Sequence, residues 1–120
     1  MARVVYSDTA QTDLAAAISL IHEYFESREL IELGERHVVT FKAEMRAKEK
    51  LLREAPQLYA VRQDGYFKNA TRKFRSYLVH WFTVFYSYEE GEDEVVIWYI
   101  RSSKSDYSNI VYLDQSRTTE

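Results

Sequence analysis

The sequence predicts an α+β protein in which an antiparallel helix hairpin packs on one face of an antiparallel sheet. Apolar residues recur at helical spacing through the first half of the chain and alternate at strand spacing through much of the second half. Pro56, the only proline, stands where the spacing changes. We therefore expect a short N-terminal strand, then two helices, and then a β-meander.

The first predicted element is a short strand from Arg3 to Ser7, where β-branched and aromatic residues begin to alternate with polar ones. A helix should follow, with Asp8 as its N-cap residue and Gln11 as the return partner. It is expected to extend into residues 28–33, with Gly34 as its terminator. Its apolar face follows from the spacing of Leu14, Ile18, Ile21 and Phe25.

A second apolar stripe at helical spacing predicts the other helix, which Pro56 should end. This stripe consists of Val38, Phe41, Met45 and Leu52. The link between the two helices is very short, so they are expected to fold back on each other as a hairpin.

Alternating residues after Pro56 predict the strands of the meander. One or two strand segments are expected in 66–79, another in Phe82–Tyr88 and a third in Glu94–Arg101. The acidic stretch "EEGEDE" between the last two should be a solvated hairpin turn. Near the C-terminus, "NIVYL" is compatible with one more short strand, and 114–120 should be a frayed tail.

Length and composition favour a single domain over residues 1–120, because 120 residues are enough for one hydrophobic core. The chain contains no cysteine, and no apolar run is long enough to cross a membrane. We therefore expect a cytoplasmic protein that has no disulfide, no cofactor, no metal centre and no membrane partner.

The middle of the chain is cationic although the net charge of the protein is −3. From Gly65 to Tyr88 there are four basic residues and no acidic one. Strand alternation favours Phe74 and Leu78 as the residues that meet the helices. The opposite side of that strand would then carry Lys73, Arg75 and Tyr77.

The last predicted strand can extend the same cationic surface. Its residues Val96, Trp98 and Ile100 form an apolar set, which leaves Tyr99 and Arg101 on the other side. If the strands are neighbours, cations and phenols converge on the open face of the sheet and can hold a phosphodiester. The alternative is that these charges only keep an exposed sheet face soluble. The predicted binding residues are Lys68, Arg72, Lys73, Arg75, Tyr77, Tyr99, Arg101 and Lys104.

Several phrases, in this order of elements, resemble the RelE/ParE superfamily of toxins from bacterial type II toxin–antitoxin systems. They are "VVYSDTAQTDLAAAISLI", "LLREAPQLY", "TRKF" and "FTVFYSYEEGEDEVVIWYIRS". The resemblance covers about Val4 to Tyr107. The residues that occupy the family's typical positions are Ala10, Asp13, Leu14, Leu52, Pro56, Arg72, Tyr86, Val96 and Ile97.

The resemblance implies a small intracellular toxin that a cognate antitoxin protein holds inactive. A homodimer of the toxin is compatible with this interpretation. ParE-like members inhibit DNA gyrase by binding it, whereas RelE-like members cleave mRNA on the ribosome without a metal. The long helix hairpin and the acidic composition favour the ParE-like reading. A non-toxic interaction domain on the same scaffold is a third alternative.

In the RelE-like alternative, catalysis needs cations around the phosphate and a group that transfers a proton. Arg75 and Arg101 would clamp the phosphate, and the candidates for proton transfer are Lys73, His80 and Tyr107. In every toxin version, the antitoxin is expected to lay an apolar, acid-rich helix or strand across the hairpin and the basic face. An exposed apolar patch is therefore expected, with Leu30, Ile31 and Leu33 at the hairpin tip as candidates.

Overall fold

The fold is seen in a computed structural model that describes residues 1–63, 67 and 70–103. Two helices precede three of the four strands, so the predicted α+β class and the predicted order of elements are confirmed. The predicted "NIVYL" strand and the C-terminal tail lie outside the described residues. The elements are β1 (Arg3–Tyr6), α1 (Asp8–Glu26), α2 (Ile31–Glu54), β2 (Arg75–Val79), β3 (Phe82–Glu89) and β4 (Glu94–Ser102).

The described strands form one mixed sheet in the order β1-β4-β3-β2. Strands β2, β3 and β4 are the predicted antiparallel meander, whereas β1 pairs in parallel with β4. The pairing of β1 runs from Arg3 opposite Glu94 to Tyr6 opposite Ile97, so the second half of β4 extends beyond β1. The acidic segment between β3 and β4 is an exposed turn, as predicted.

Ser7, not the predicted Asp8, is the N-cap residue of α1. The Ser7 hydroxyl accepts a hydrogen bond of 3.0 Å from the N–H of Ala10 and donates one of 3.0 Å to the carbonyl of Trp98. Asp8 lies in the first turn, where its negative charge complements the helix dipole. Ser7 takes the cap position because it joins the helix start to β4 as well.

The turn between the helices ends α1 before the predicted terminator. Glu29 adopts the left-handed conformation that a glycine was expected to supply, with φ of 60°. The N–H of Leu30 then returns to the carbonyl of Phe25 at 2.9 Å. Gly34 instead lies in the first turn of α2, where an added Cβ would stand 2.9 Å from the Cβ of Phe25. This glycine therefore allows the two helices to approach closely.

The main hydrophobic core lies between the helix hairpin and one face of the sheet. The helix side is built from the predicted stripes, with Ile21, Phe41 and Leu52 fully buried. The sheet side includes Tyr77, Val79, Phe82, Val84, Tyr86, Val95, Ile97 and Ile100.

The predicted facing of β2 is wrong. Tyr77 and Val79 pack in the main core against the helices, whereas Leu78 is 67% exposed and Phe74 is buried on the opposite side of the sheet. Both alternating sets of this strand contain large apolar residues, so alternation alone could not assign them. Tyr86 on β3 decides which side of β2 faces the helices, because its ring packs beside that of Tyr77.

The predicted alternation of β4 is also wrong, because the ladder shifts register in its middle. Phe85 pairs with Tyr99, but the next residue, Tyr86, pairs with Ile97, so Trp98 is an extra residue. As a result, Ile97 and Ile100 both belong to the helix-side core, although they are three residues apart.

Neither α1 nor α2, the helices within the described part of the chain, is long and apolar enough to cross a membrane.

Candidate functional site

Arg75 lies on the helix side of the sheet and holds the segment that follows α2. Its guanidinium donates hydrogen bonds to the carbonyl of Gln57 at 3.2 Å and to that of Tyr59 at 2.5 Å. Both acceptors are backbone groups of the connection between α2 and β2. Arg75 therefore has a structural role, because it fixes this connection to β2.

Arg101 lies on the other face of the sheet, so the predicted convergence with Arg75 does not occur. In the ladders Arg75 is opposite Tyr86 and Arg101 is opposite Thr83, and these two positions of β3 are three residues apart. Positions an odd number apart on a strand point to opposite faces. The Arg101 Nε lies 3.3 Å from the carboxylate of Asp13 in α1.

The open face is partly covered by the chain itself, which corrects the expectation of a bare face. A second, smaller core of Phe67, Phe74, Phe85 and Tyr99 lies there, and each of these side chains is at most 5% exposed. Tyr99 was predicted to be a solvent-facing binding residue, but it is 1% exposed. Tyr77, predicted for the same role, is buried in the main core.

Two arginines stack on aromatic rings at this covered face. The Arg62 guanidinium lies 4.8 Å from the ring centre of Phe67, and that of Arg72 lies 4.0 Å from the ring centre of Trp98. Such cation–π pairs hold a guanidinium flat over a ring and leave its edge able to donate. Arg72 was predicted as a binding residue. Arg62 was missed, since it precedes the acid-free segment.

Arg72 and Lys73, two of the predicted binding residues, lie side by side at this face, and the Arg101 guanidinium lies 5.3 Å from the ring centre of Tyr99. Arg72 and Lys73 line a shallow depression with Thr71, and Ser87 and Glu89 complete its wall. The indole N–H of Trp98 donates to the Ser87 hydroxyl at 2.8 Å, and that hydroxyl lies 2.9 Å from the Glu89 carboxylate. The predicted site residues Lys68, Lys104 and Tyr107 lie outside the described part of the chain.

His80 lies at the other end of β2, in the turn to β3. Its Nε2 is 3.0 Å from Nδ1 of His37 in α2, and its ring stacks on that of Trp81. Burial, and then the neighbouring His37, lower the pKa of His80 from its ordinary value, while Glu44 opposes this shift.

A groove runs between α1 and the second half of β4, beyond the end of β1. We call it the α1–β4 groove. Its apolar lining comes from α1, from β4 and from Phe82 of β3, and Asp13 and Arg101 also line it. Past Ser102, a neighbouring depression is lined by Tyr24, His80, Trp81 and Ser103. The groove residues are Asp13, Ala16, Ala17, Leu20, Phe82, Ile100, Arg101 and Ser102.

Large apolar side chains are exposed at two places on the helix hairpin. Leu20 and Tyr24, one turn apart on α1 beside the groove, are 45% and 44% exposed. At the hairpin tip Leu30 and Ile31 are exposed, as predicted, whereas Leu33 is half-buried and packs against the core. The sequence did not reveal the groove, because it depends on how far β1 extends along β4.

Among the described residues, no three His, Asp or Glu side chains are grouped as a metal site would require.

Comparison with known proteins supports the fold and goes no further. No protein-family model matches the sequence, and no curated protein matches it at significance. A matching solved structure is a chain of the chromosomal ParDE toxin–antitoxin system from P. aeruginosa. The two chains are 16% identical, and they align with a TM-score of 0.55 over 85% of this chain and 96% of that one. The protein therefore shares the fold of that chain, in agreement with the RelE/ParE-like fold that the resemblance in its sequence implied.

Proposed function

We propose that this protein is the toxin of a type II toxin–antitoxin system and is neutralised by a cognate antitoxin. The observation that carries the proposal is the shared fold with a chain of a ParDE system, which extends over nearly the whole of that chain. The phrases of the sequence that resemble the RelE/ParE superfamily support the same function, and they do not depend on the structure. On this proposal the toxin acts in the cytoplasm.

We further propose that the toxin inhibits growth by binding DNA gyrase, not by cleaving RNA. The arrangement of the two arginines proposed as phosphate clamps supports this choice. Arg75 is engaged with the carbonyls of Gln57 and Tyr59. Arg101 starts from a strand position on the other face of the sheet, and its guanidinium pairs with Asp13 of α1. Two cations that flank one phosphate need to share a face and lie within a few ångströms of it.

Inducible expression tests the toxin role, and enzyme assays identify the target. Expression alone should arrest growth, and co-expression of the neighbouring small open reading frame should restore it. In extracts of arrested cells, supercoiling should fail while translation of a reporter mRNA continues. Normal growth on full expression would contradict the toxin proposal, and loss of translation with intact supercoiling would establish the RNA-cleaving alternative.

The α1–β4 groove is our proposed docking site for the antitoxin. It offers an apolar lining, the exposed Leu20 and Tyr24, and a stretch of β4 that β1 does not cover and that has no strand beside it on that edge among residues 1–103 as described. An apolar helix or strand of the antitoxin can bury these side chains. The adjoining basic side chain of Arg101 suits the acidic residues expected in such a segment.

A pair of charge-introducing substitutions tests this docking site. Leu20→Glu should weaken antitoxin binding at least tenfold, because it places a carboxylate in the apolar groove. Val39→Glu is the matched control, since Val39 is 64% exposed on α2 and does not line the groove. Calorimetric titration of the purified toxin variants with the antitoxin measures both. Equal affinities for the two variants would place the antitoxin elsewhere.

A further inference from the structure

Two histidines join the helix hairpin to the tip of the β2–β3 turn. His37 lies on α2 and His80 in the turn, and their ring nitrogens Nδ1 and Nε2 are 3.0 Å apart. The ring centres are 5.0 Å apart, and the ring planes are tilted by 59° to each other. This separation is that of a hydrogen bond between one ring N–H and one bare ring nitrogen.

The protonation state of the pair decides whether this hydrogen bond exists. A neutral imidazole has one N–H and one acceptor nitrogen, whereas a protonated ring has two N–H groups and no acceptor. The bond therefore survives when both rings are neutral or when one is protonated. When both rings are protonated, two donors and two positive charges face each other at this distance. The contact then becomes repulsive.

The surroundings of the pair transmit this change to the turn. His80 has a φ of 56°, an uncommon conformation for a residue with a side chain, so the turn depends on contacts that hold it. The ring of Trp81 stacks on His80 with centres 4.9 Å apart, and that of Phe25 stacks on His37 at 4.5 Å. Trp81 also packs edge-on against Tyr24 of α1.

The charged and titratable groups around the pair come from both helices. On α2, Glu44 favours protonation of His80, and His37 opposes it. On the side of α1, the phenol of Tyr24 packs against Trp81, and the Arg28 guanidinium lies 3.7 Å from the ring centre of Tyr24. Glu44 is thus the carboxylate that favours a charged His80, and a charged His37 opposes it.

We propose that His37 and His80 form a proton-operated latch, which holds the β2–β3 turn against α2 near neutral pH and opens when both rings are protonated. Burial and the neighbouring ring lower the pKa of His80, which agrees with this direction. A histidine whose pKa is lower in the folded state stabilises the fold fully above its unfolded pKa of about 6.5. That contribution is lost progressively as the pH falls below this value. The latch is independent of the proposed toxin role.

The test compares His37→Gln with the control His22→Gln, since His22 is the third histidine and belongs to α1, whereas the pair belongs to α2 and the β2–β3 turn. Glutamine at position 37 can still donate to His80 but cannot be protonated. The unfolding free energy is measured by urea denaturation between about pH 7.5 and pH 5, and the His80 ring is titrated by NMR. In His37→Gln, the loss of stability on acidification should shrink, and the pKa of His80 should rise towards its ordinary value.

The control should behave as the unsubstituted protein does in both measurements. An equal loss of stability in His37→Gln and in the unsubstituted protein, or an unchanged His80 titration, would overturn the latch. If His37→Gln fails to fold, His80→Asn replaces it, because asparagine tolerates the left-handed conformation of this turn. That variant is judged by the same reduction in the loss of stability between the two pH values.

Discussion

The Asp13 carboxylate accepts a hydrogen bond of 3.0 Å from the backbone N–H of Ile100, which is 87 residues away in the sequence. This bond lies where β4 has passed the end of β1, and within the described part of the chain no strand pairs with that edge. A side chain of α1 therefore takes the place of a strand partner at this point. The same carboxylate lies beside the Arg101 guanidinium.

Replacing Asp13 should therefore loosen the contact between α1 and β4. We expect Asp13→Ala to lower the unfolding free energy by about 1–3 kcal/mol, since it leaves the backbone N–H of Ile100 without its acceptor and the Arg101 guanidinium without its ion-pair partner. Asp13→Asn retains an acceptor oxygen and should cost less. Urea denaturation measures both, with the exposed Glu23→Gln on the same helix as the control. A cost for Asp13→Ala no greater than that of the control would refute this role.

Gly34 should not tolerate a methyl group, although alanine is the better helix former. The added Cβ would stand 2.9 Å from the Cβ of Phe25, and that atom cannot rotate away. We expect Gly34→Ala to destabilise the fold by about 1–3 kcal/mol. Gly91→Ala is the matched control, because nothing lies within 4 Å of its added Cβ. Equal denaturation midpoints for both variants would show that the helices can separate at no cost.

Arg75 and Lys73 are both cations of the predicted site, but we expect their substitution by alanine to affect the stability of the fold differently. Arg75→Ala removes the donor that holds two backbone carbonyls and should cost about 1–3 kcal/mol of stability. Lys73→Ala changes an exposed side chain and should remain within about 0.5 kcal/mol of the unsubstituted protein. Thermal or urea denaturation separates the two. A stable Arg75→Ala variant would return Arg75 to the list of functional candidates.

Tyr86 should make the fold sensitive to alkali. Burial raises the pKa of its phenol to about 12, with Arg75 opposing the shift. An unfolded tyrosine ionises near pH 10, so the stabilisation is complete below that pH and is lost between about pH 10 and 12. At neutral pH, Tyr86→Phe should cost about 0.5–1.5 kcal/mol for the hydrogen bond of 3.1 Å to the Pro56 carbonyl.

The check is denaturation of Tyr86→Phe as the pH rises from about 9 to about 11.5, compared with Tyr24→Phe at a half-exposed position. The alkaline loss of stability should be smaller in Tyr86→Phe than in the control. Identical losses in the two variants would mean that another group governs alkaline unfolding.

The helices could be predicted from the sequence because each presents one apolar stripe at a spacing that only a helix satisfies. Phe41 and Leu52 are fully buried on that basis. The order of the meander followed in the same way from alternation and the acidic turn. Local pattern is sufficient where only one side of an element is apolar.

The candidate site could not be predicted to the same extent, because β2 and β4 carry large apolar residues on both sides. The choice between Tyr77 and Leu78 depends on which ring fits beside Tyr86, and the register shift at Trp98 reverses the facing of the residues after it. Arg75 and Arg101 were separated by these two effects. Neither effect can be recognised from the spacing of residues along the sequence.

The parallel pairing of β1 with β4 sets a limit on when the sheet can form during synthesis. Arg3 emerges from the ribosome first, but its partner Glu94 is made only after both helices and two further strands. Contacts that close so large a loop are slow to form. On a nascent chain the inner face of the hairpin therefore stays uncovered until the strands of the meander have been made, and a chain that stops before β4 cannot complete the sheet.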